Sequence, residues 1–160
     1  MHGALRRDAS RIFRSDIVKI LVLHGPNMNL LGKRDPDMYG TQTLGQLEGM
    51  LADEACKLEI DLSFVQSNHE GVLIDTLQEA DGSFDAVIFN PAAYSHTSIA
   101  LRDCIEAIDI PVAEVHLSKI SARETFRQMS QTAPECVYFI EGEGVQGYID
   151  ALHYFKEELI

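Results

Sequence analysis

The chain has 160 residues, of which 46% are hydrophobic and 24% are charged, and its formal net charge is -12 at pH 7. This length and composition predict one compact domain with a sizeable core. The negative charge argues against binding to nucleic acid or to an anionic membrane, because both require a basic surface. Any anionic ligand must therefore be bound by arginines that cluster at one place.

Three cysteines, Cys56, Cys104 and Cys136, are widely spaced, and each lies in an apolar run. This pattern predicts reduced core thiols in a cytoplasmic protein rather than a disulfide framework or a zinc site. The sequence has no apolar run as long as a membrane span and no secretory signal pattern. We interpret residues 1–16 as a disordered extension and expect one folded domain over residues 17–160.

The first predicted element is a buried strand over Ile20–Leu23, an apolar and partly β-branched run. The loop that follows, residues 24–40, carries Asn27, Arg34 and Tyr39. A loop of this length in so short a chain is typically functional. The alternative is a long solvated connection without chemistry.

Four further strands alternate with helices along the rest of the chain. The predicted strands are Leu62–Gln66, Ala86–Phe89, Val112–Val115 and Val137–Ile140. The predicted helices are Leu44–Leu58 with Thr43 as its cap, a helix capped by Ser67 or Asn68 that runs to Ala80, Ser98–Ile108, Ala122–Met129, and Val145 to the C-terminus. This alternation predicts an α/β fold with a five-stranded parallel sheet of order 2-1-3-4-5 and helices on both faces.

This strand order also predicts where a ligand binds. The chain reverses direction between strands 1 and 3, so ligands are expected above the carboxyl ends of those strands. Strand 3 is followed by Asn90 and His96, and strand 4 is followed by His116 and Ser118. Together with the loop after strand 1, these residues predict a binding site at that edge of the sheet.

The sequence matches two other known types of site only in part: a dinucleotide-binding motif and a receiver domain. Residues 142–147, read as GEGVQG, match the G-x-G-x-x-G pattern of dinucleotide sites, but too few residues follow for the second strand and the acidic residue that such a site needs. We interpret them as a turn between the last strand and the last helix. A phosphoacceptor receiver domain shares the strand order but needs an acceptor aspartate where strand 3 ends in Asn90.

The histidines and arginines near the strand ends allow sharper interpretations. His24 is interpreted as a satisfied core histidine, and no metal-ligand spacing is present. Arg34 lies five residues before Tyr39, and a nearby guanidinium favours a phenolate by Coulomb attraction; an unrelated surface arginine and turn tyrosine remain the alternative. Arg123 and Arg127, four residues apart, are expected on one face at a helix start, where they bind an anion or pair with a neighbouring glutamate.

Three stretches carry a family resemblance: HGPNMNLLGKRDPDMYG at 24–40, NPAAYSHTSIALRD at 90–103 and EVHLSKISARETFR at 114–127. In order and spacing they closely resemble the type II 3-dehydroquinate dehydratases, and the resemblance extends from about Ile17 to Tyr154. It implies a flavodoxin-like three-layer sandwich and a lyase that reversibly dehydrates 3-dehydroquinate to 3-dehydroshikimate through an enolate, in the shikimate or quinate pathway. It further implies no cofactor and a homo-oligomer, usually a dodecamer built from trimers.

The resemblance also implies a role for each motif residue. Tyr39 corresponds to the proton acceptor, Arg34 to the residue that stabilises its phenolate, His116 to the proton donor and Asn27 to an asparagine that stabilises the enolate. The positions that correspond to substrate-binding residues are Asn90, His96, Asp103, Leu117, Ser118, Arg127 and Arg123. Asp103 is expected to reach the site of a neighbouring subunit, and the backbone around Leu117-Ser118, near a helix start, is expected to hold the substrate carboxylate.

The chain departs from the family pattern at three places. Lys119 stands where asparagine is usual, Ser121 replaces a common histidine, and FIEGEG at 139–144 replaces a less acidic stretch. These departures concern affinity and pocket electrostatics rather than reaction type. Two other functions also fit the fold: a flavin-binding carrier and a non-catalytic subunit that binds a small anion.

Overall fold

The structure is a computed structural model that describes residues 17–159. A five-stranded parallel sheet of order β2-β1-β3-β4-β5 forms its centre, as predicted. The strands are β1 Val18–His24, β2 Ile60–Gln66, β3 Ala86–Asn90, β4 Val112–His116 and β5 Tyr138–Glu141. The α-helices are α1 Pro36–Tyr39, α2 Leu44–Lys57, α3 Glu70–Ala80, α4 Ile99–Ala107 and α5 Val145–Leu159. The prediction for residues 1–16 lies outside the described residues.

Helices cover both faces of the sheet, which confirms the flavodoxin-like three-layer architecture. Successive residues of a strand point to opposite faces, so the neighbours Val22 and Leu23 of β1 enter two different core clusters. Val22 packs in the cluster that contains Leu51 of α2 and Leu152 of α5. Leu23 packs with α3 and α4, in the cluster that contains Leu77. Burial on both sides explains why Ile20–Leu23 of β1 is an unbroken apolar run.

The start of α2 follows the sequence closely, whereas the start of α3 does not. Thr43 Oγ1 accepts from the Gln46 amide at 3.2 Å, and the Gln46 side chain accepts from the Thr43 amide at 2.9 Å, which is a capping box. The N-cap of α3 is His69 rather than Ser67 or Asn68. The Ser67 hydroxyl accepts from the His69 amide, and the Asn68 side chain accepts from the loop after β1 instead.

The helix predicted over Ala122–Met129 is wrong. Phe126 and Met129 are 72% and 71% exposed, so this stretch has no apolar face to bury against the sheet. Short helices depend on such burial for stability in water. The chain between β4 and β5 instead forms three short 3-10 turns, Ile120–Ala122, Thr125–Arg127 and Ala133–Glu135.

The glycine-rich motif is a turn between β5 and α5, as predicted. Gly142 and Gly144 adopt positive φ angles of 79° and 56°. A Cβ atom on Gly147 would lie 3.3 Å from Ile140 Cγ2 and 3.4 Å from Val115 Cγ1. The motif therefore lets the first turn of α5 approach the sheet closely.

The structure also bears on the predictions about membrane spans and about the cysteines. None of the helices within residues 17–159 has the length and apolar character to cross a membrane. All three cysteines are free thiols, as predicted. Cys56, however, is exposed, so the expectation of a core position is wrong for it: it follows the buried Ala55 on the solvent side of α2.

Candidate active site

The carboxyl ends of the central strands are held side by side. The strand register places His24 of β1 beside Gln66 of β2 and Asn90 of β3. The Gly25 amide donates to the Asn90 carbonyl at 2.7 Å. A Cβ atom on Gly25 would lie 2.6 Å from the Pro91 carbonyl oxygen, so this contact requires glycine. The loops that follow β1 and β3 are thereby fixed against each other at the predicted edge of the sheet.

A pocket opens at this edge, with about 460 Å³ of empty space that is partly open to solvent. Within the described part of the chain its wall has no carboxylate, and it contains the cationic or basic residues Arg34, Arg123, Arg127, His96 and His116. In a protein of net charge -12, such a wall is a local site for an anion. Every predicted site residue except Asp103 lines this pocket.

Two arginines bind the phenol oxygen of Tyr39. Arg34 Nη2 and Arg123 Nη1 each donate to Tyr39 Oη at 2.9 Å. The guanidinium carbon of Arg34 also lies 3.9 Å from the centre of the tyrosine ring. Two cationic donors stabilise a phenolate more than a neutral phenol. The sequence predicted the partnership with Arg34, but it assigned Arg123 only to anion binding.

A short helix fixes the position of Tyr39 within the long loop. Asp35 Oδ1 accepts from the Asp37 amide at 3.0 Å and caps α1, and Pro36 occupies the first helical position, where its fixed φ is favourable. The Gly40 amide donates to the Pro36 carbonyl at 2.9 Å and ends the helix with a φ of 76°. Tyr39, the last residue of α1, is therefore held by backbone hydrogen bonds on both sides.

His116 is the last residue of β4 rather than the first of a loop, and it is buried. Its Nε2 lies 2.6 Å from Glu114 Oε1; residues two apart on a strand point to the same face. Because a carboxylate only accepts, Nε2 carries the hydrogen in this contact. The other ring nitrogen, Nδ1, has no hydrogen-bond partner within residues 17–159 and remains for a ligand. The ring also packs on Phe139, with ring centres 5.8 Å apart.

Glu114 is a buried partner of His116 that the sequence analysis did not single out. It is fully buried, and besides His116 it accepts from Ser130 Oγ at 2.6 Å and Thr132 Oγ1 at 2.5 Å. Cys136 Sγ lies 3.9 Å from Oε2 of Glu114, the oxygen that also accepts from Thr132. Burial, and after it the charge of Glu114, raises the pKa of the Cys136 thiol, so this thiol stays protonated. The available signal was a single glutamate inside an apolar strand, two residues before a histidine.

The two asparagines of the pocket differ in how their side chains are used. Asn90 is buried; its Nδ2 donates to Tyr148 Oη at 2.9 Å and its Oδ1 accepts from the Ala92 amide at 3.0 Å. Burial raises the pKa of Tyr148, so this partner is a neutral phenol. Asn27 has a left-handed φ of 65° and donates its backbone amide to Asn68 Oδ1 at 2.9 Å. Its side-chain amide makes no hydrogen bond to the described residues and is available to a ligand.

The chain after β4 forms the rest of the wall, although the expected helix start is absent. Leu117 and Ser118 line the pocket and are followed only by a 3-10 turn. The expected helix start is therefore wrong, because no α-helix begins in this segment; binding of a carboxylate by Leu117 and Ser118 stays a prediction. The Leu117 carbonyl accepts from the Gly144 amide at 3.2 Å, which ties this segment to the turn before α5.

Arg123 and Arg127 reach the pocket without sharing a helix face. Their Nε atoms lie 3.6 Å and 3.4 Å from Glu124 Oε2. The neighbouring glutamate that the sequence analysis considered as their alternative partner is therefore close to both. Glu124 is more exposed than either arginine and does not line the pocket. Arg123 thus directs Nη1 to Tyr39 in the pocket, while the carboxylate of Glu124 lies near the Nε atoms of both arginines.

Two of the departures from the family pattern contact each other. Ser121 Oγ donates to Glu141 Oε1 at 2.5 Å, and the Ser121 amide donates to Glu141 Oε2 at 3.1 Å. Glu141 is the last residue of β5 and pairs in register with His116. The serine and the acidic stretch therefore form one local contact beside the site, and Lys119 lies outside the pocket wall.

Asp103 and His24 lie outside the pocket. Asp103 is exposed on α4, so a role in the site requires a second subunit. His24 is fully buried, as predicted, but neither ring nitrogen makes a hydrogen bond. Glu48 Oε1 lies 3.3 Å from His24 Nε2 without hydrogen-bond geometry. The expectation of a satisfied core histidine is therefore right about burial and wrong about hydrogen bonding.

Comparisons with known proteins give one consistent family. Residues 18–156 match the family model described as dehydroquinase class II. A 3-dehydroquinate dehydratase of Bacillus licheniformis is 54% identical over 136 residues, which cover 85% of this chain and 94% of that protein. One from Nostoc sp. is 52% identical over 132 residues, covering 82% and 90%.

A solved structure agrees with these sequence relatives. The crystal structure of a type II dehydroquinase from Butyrivibrio crossotus superposes with a TM-score of 0.85 at 40% identity, and the match covers 88% of this chain and 98% of that one. Sequence and fold thus agree. The chain belongs to the class II dehydroquinase family.

Proposed function

We propose that the protein catalyses the reversible dehydration of 3-dehydroquinate to 3-dehydroshikimate through an enolate, with Tyr39 as the base and His116 as the general acid. Family membership supports the reaction. The observation that carries the residue roles is the phenol oxygen of Tyr39, bound by two guanidinium groups at 2.9 Å in the wall of a cationic pocket. The pathway stays a prediction: the shikimate pathway, which leads to aromatic amino acids, or quinate metabolism. The cytoplasmic location also stays a prediction.

The first chemical step is removal of a proton from the carbon between the ketone and the carbon that bears the hydroxyl group. The Tyr39 phenolate takes this proton and becomes a phenol. The electron pair of the broken C–H bond forms the enolate, whose oxygen needs hydrogen-bond donors. The side-chain amide of Asn27 is unpaired within the described residues and lines the pocket, so we assign it to this oxygen.

The second step is loss of water. The enolate re-forms the ketone, the new carbon–carbon double bond forms, and the carbon–oxygen bond to the hydroxyl group breaks. His116 gives the departing oxygen a proton from Nδ1, and Glu114 at 2.6 Å from Nε2 offers a counter-charge to the imidazolium. Transfer of one proton from Tyr39 to His116 through solvent then restores the starting state.

The remaining wall residues are assigned to substrate binding. The substrate is a carboxylate, and Arg127 with the Ser118 hydroxyl and the amides near Leu117 offers donors at the cationic side of the pocket. Asn90 ends β3 and His96 lies in the loop after it, and both are assigned to the substrate hydroxyl groups. His96 Nδ1 lies 2.9 Å from the Met129 carbonyl, which leaves Nε2 for this contact.

The test of the function is a direct assay. The product is a conjugated enone, so addition of 3-dehydroquinate to the purified protein should raise the ultraviolet absorbance with multiple turnovers. Binding of the substrate without any absorbance change would favour the anion-binding subunit instead. A visible flavin spectrum in the purified protein would favour the carrier.

Activity is expected to survive chelators and also borohydride treatment in the presence of substrate. The side chains of the pocket supply a base, an acid and cationic donors, and borohydride traps an intermediate only if a lysine forms a Schiff base. Lys33 and Lys119 flank the site but do not line its wall. Inactivation by either reagent, measured with the ultraviolet assay, contradicts the mechanism.

We also propose a closed homo-oligomer, with a dodecamer built from trimers as the expected form. Asp103 lies one turn after Ile99 on α4, and both are exposed, so a neighbouring subunit can bury the apolar side chain and receive the carboxylate. Closed symmetry is usual for soluble oligomers. Sedimentation should show an oligomer, and Asp103→Ala should raise KM; a monomer with full activity refutes the proposal.

A further inference from the structure

A four-residue segment between β4 and β5 contacts His96 and also Glu114, the partner of His116. We call this segment, residues 129–132, the strap. Its first carbonyl oxygen lies 2.9 Å from His96 Nδ1. Its Ser130 and Thr132 hydroxyls both bind the carboxylate of Glu114, which in turn binds the general acid. The strap is anchored at the loop after β3, because its third amide donates to the Ser95 carbonyl at 2.6 Å.

The carboxylate of Glu114 is surrounded by donors. Oε1 accepts from His116 Nε2 and from Ser130 Oγ, and Oε2 accepts from Thr132 Oγ1 and, more weakly, from Cys136 Sγ. An ionised carboxylate has about four lone-pair sites, so all of its acceptor capacity is used. A protonated carboxyl group would need an acceptor at one of these positions.

The hydroxyl protons of the strap are committed to this carboxylate. The oxygens of Ser130 and Thr132 lie 3.1 Å apart, but each already donates to a different oxygen of Glu114. Ser130 Oγ also accepts from the Ala133 amide at 3.0 Å, which fixes its lone pairs away from the carboxylate. Thr132 is fully buried, so no water replaces its hydroxyl.

We propose that Thr132 and Ser130 are positioning residues that keep Glu114 ionised, and that they thereby keep His116 oriented and protonated for the second step. The inference rests on the proposed role of His116 as the general acid. A buried carboxylate that loses a donor is less stable in its charged form. The proton shared with His116 then moves towards Glu114, and the ring loses the charge that makes Nδ1 a good acid.

The test compares Thr132→Val with Thr132→Ser. Valine keeps the shape and removes the hydroxyl, whereas serine restores the hydroxyl without the methyl group. We expect Thr132→Val to lower kcat about 10-fold, the size of one hydrogen bond to a charged group, with KM changed less than about threefold. The alkaline limb of the kcat profile should move to lower pH, since the acid must be protonated to act, and serine should restore both values.

The pH profile is informative because these variants change no ionisable side chain. The ionisable groups that face His116 from its own strand, from β5 and from the pocket are Glu114, Cys136, Glu141, Tyr39, His96, Arg34, Arg123 and Arg127. All of them remain in Thr132→Val. A shifted alkaline limb therefore reports on the pair of His116 and Glu114.

Thr76→Val is the matched control, because its hydroxyl donates only to the Val72 carbonyl on α3, and it should behave as the parent. If Thr132→Val does not fold, Ser130→Ala with Ser130→Thr replaces it and carries the same expectation. A kcat within about twofold of the parent, or a loss without a shifted limb, overturns the inference. His116→Gln separates the failure of this inference from the failure of the proposed function. Full activity in His116→Gln overturns the role of His116 as the acid. Loss of activity in His116→Gln, together with normal activity in Thr132→Val, overturns only the positioning role of the strap.

Discussion

Tyr39→Phe is expected to lower turnover by about 100-fold to 10,000-fold, the range for loss of a general base. The substitution removes one oxygen from a loop residue and leaves the core unchanged. Arg34 and Arg123 lose their shared acceptor, but both remain in the wall and still attract the substrate carboxylate. Substrate affinity, measured by calorimetry, should therefore change much less than turnover.

The partial reaction makes this test sharper. Without the base, the variant should also fail to exchange the acidic substrate proton for deuterium from solvent, which NMR of the substrate detects. Tyr154→Phe on α5 is the control, because it removes the same oxygen at a ring stacked on Tyr138 and away from the pocket wall. A Tyr39→Phe protein with more than about one tenth of parental turnover places the base elsewhere.

His116→Gln is expected to lower turnover by a similar factor, about 100-fold to 10,000-fold, but for the second step alone. The glutamine amide can still donate to Glu114, so the buried carboxylate keeps a partner, but it cannot deliver a proton. Because Tyr39 is intact, this variant should still exchange the substrate proton with solvent. Deuterium exchange without dehydration is the distinguishing result.

A second histidine–glutamate pair provides the control for this experiment. His153 Nε2 lies 2.9 Å from Glu54 Oε1 on the surface formed by α5 and α2, so His153→Gln makes the same change in an exposed hydrogen-bonded pair. It should leave turnover unchanged. Loss of exchange together with dehydration in His116→Gln contradicts the division of roles between the two residues.

The sequence predicts the fold because its local signals agree with the tertiary structure. Thr43 and Ser98, which precede α2 and α4, cap the starts of these helices with their own side chains. The apolar runs of β1 and β3 are buried on both faces of the sheet, as their sequence predicts. The ends of these strands then place the motif residues at one edge.

Contacts between distant residues could not be predicted in the same way. Nothing local indicates that Arg123 would share an acceptor with Arg34, because 84 residues separate Arg123 from Tyr39. The spacing of Arg123 and Arg127 also favours a helix, yet helix formation depends on apolar burial that Phe126 and Met129 do not make. Glu114 was overlooked because an ionisable residue in a buried strand has meaning only through its partners, and most of these lie 16 or more residues away.

The absence of an α-helix between β4 and β5 has a consequence for how such a protein diverges. Leu117, Ser118, Ile120, Arg123 and Arg127 of the segment 117–137 line the pocket, yet this segment forms 3-10 turns rather than a helix that packs on the sheet. A substitution here can alter the wall while the layers beneath keep their packing. Lys119 and Ser121, two of the positions where the chain departs from the family pattern, both fall in this segment, beside the residues that line the pocket. The sheet with its covering helices thus stabilises the fold, whereas the segment 117–137 can change the binding surface.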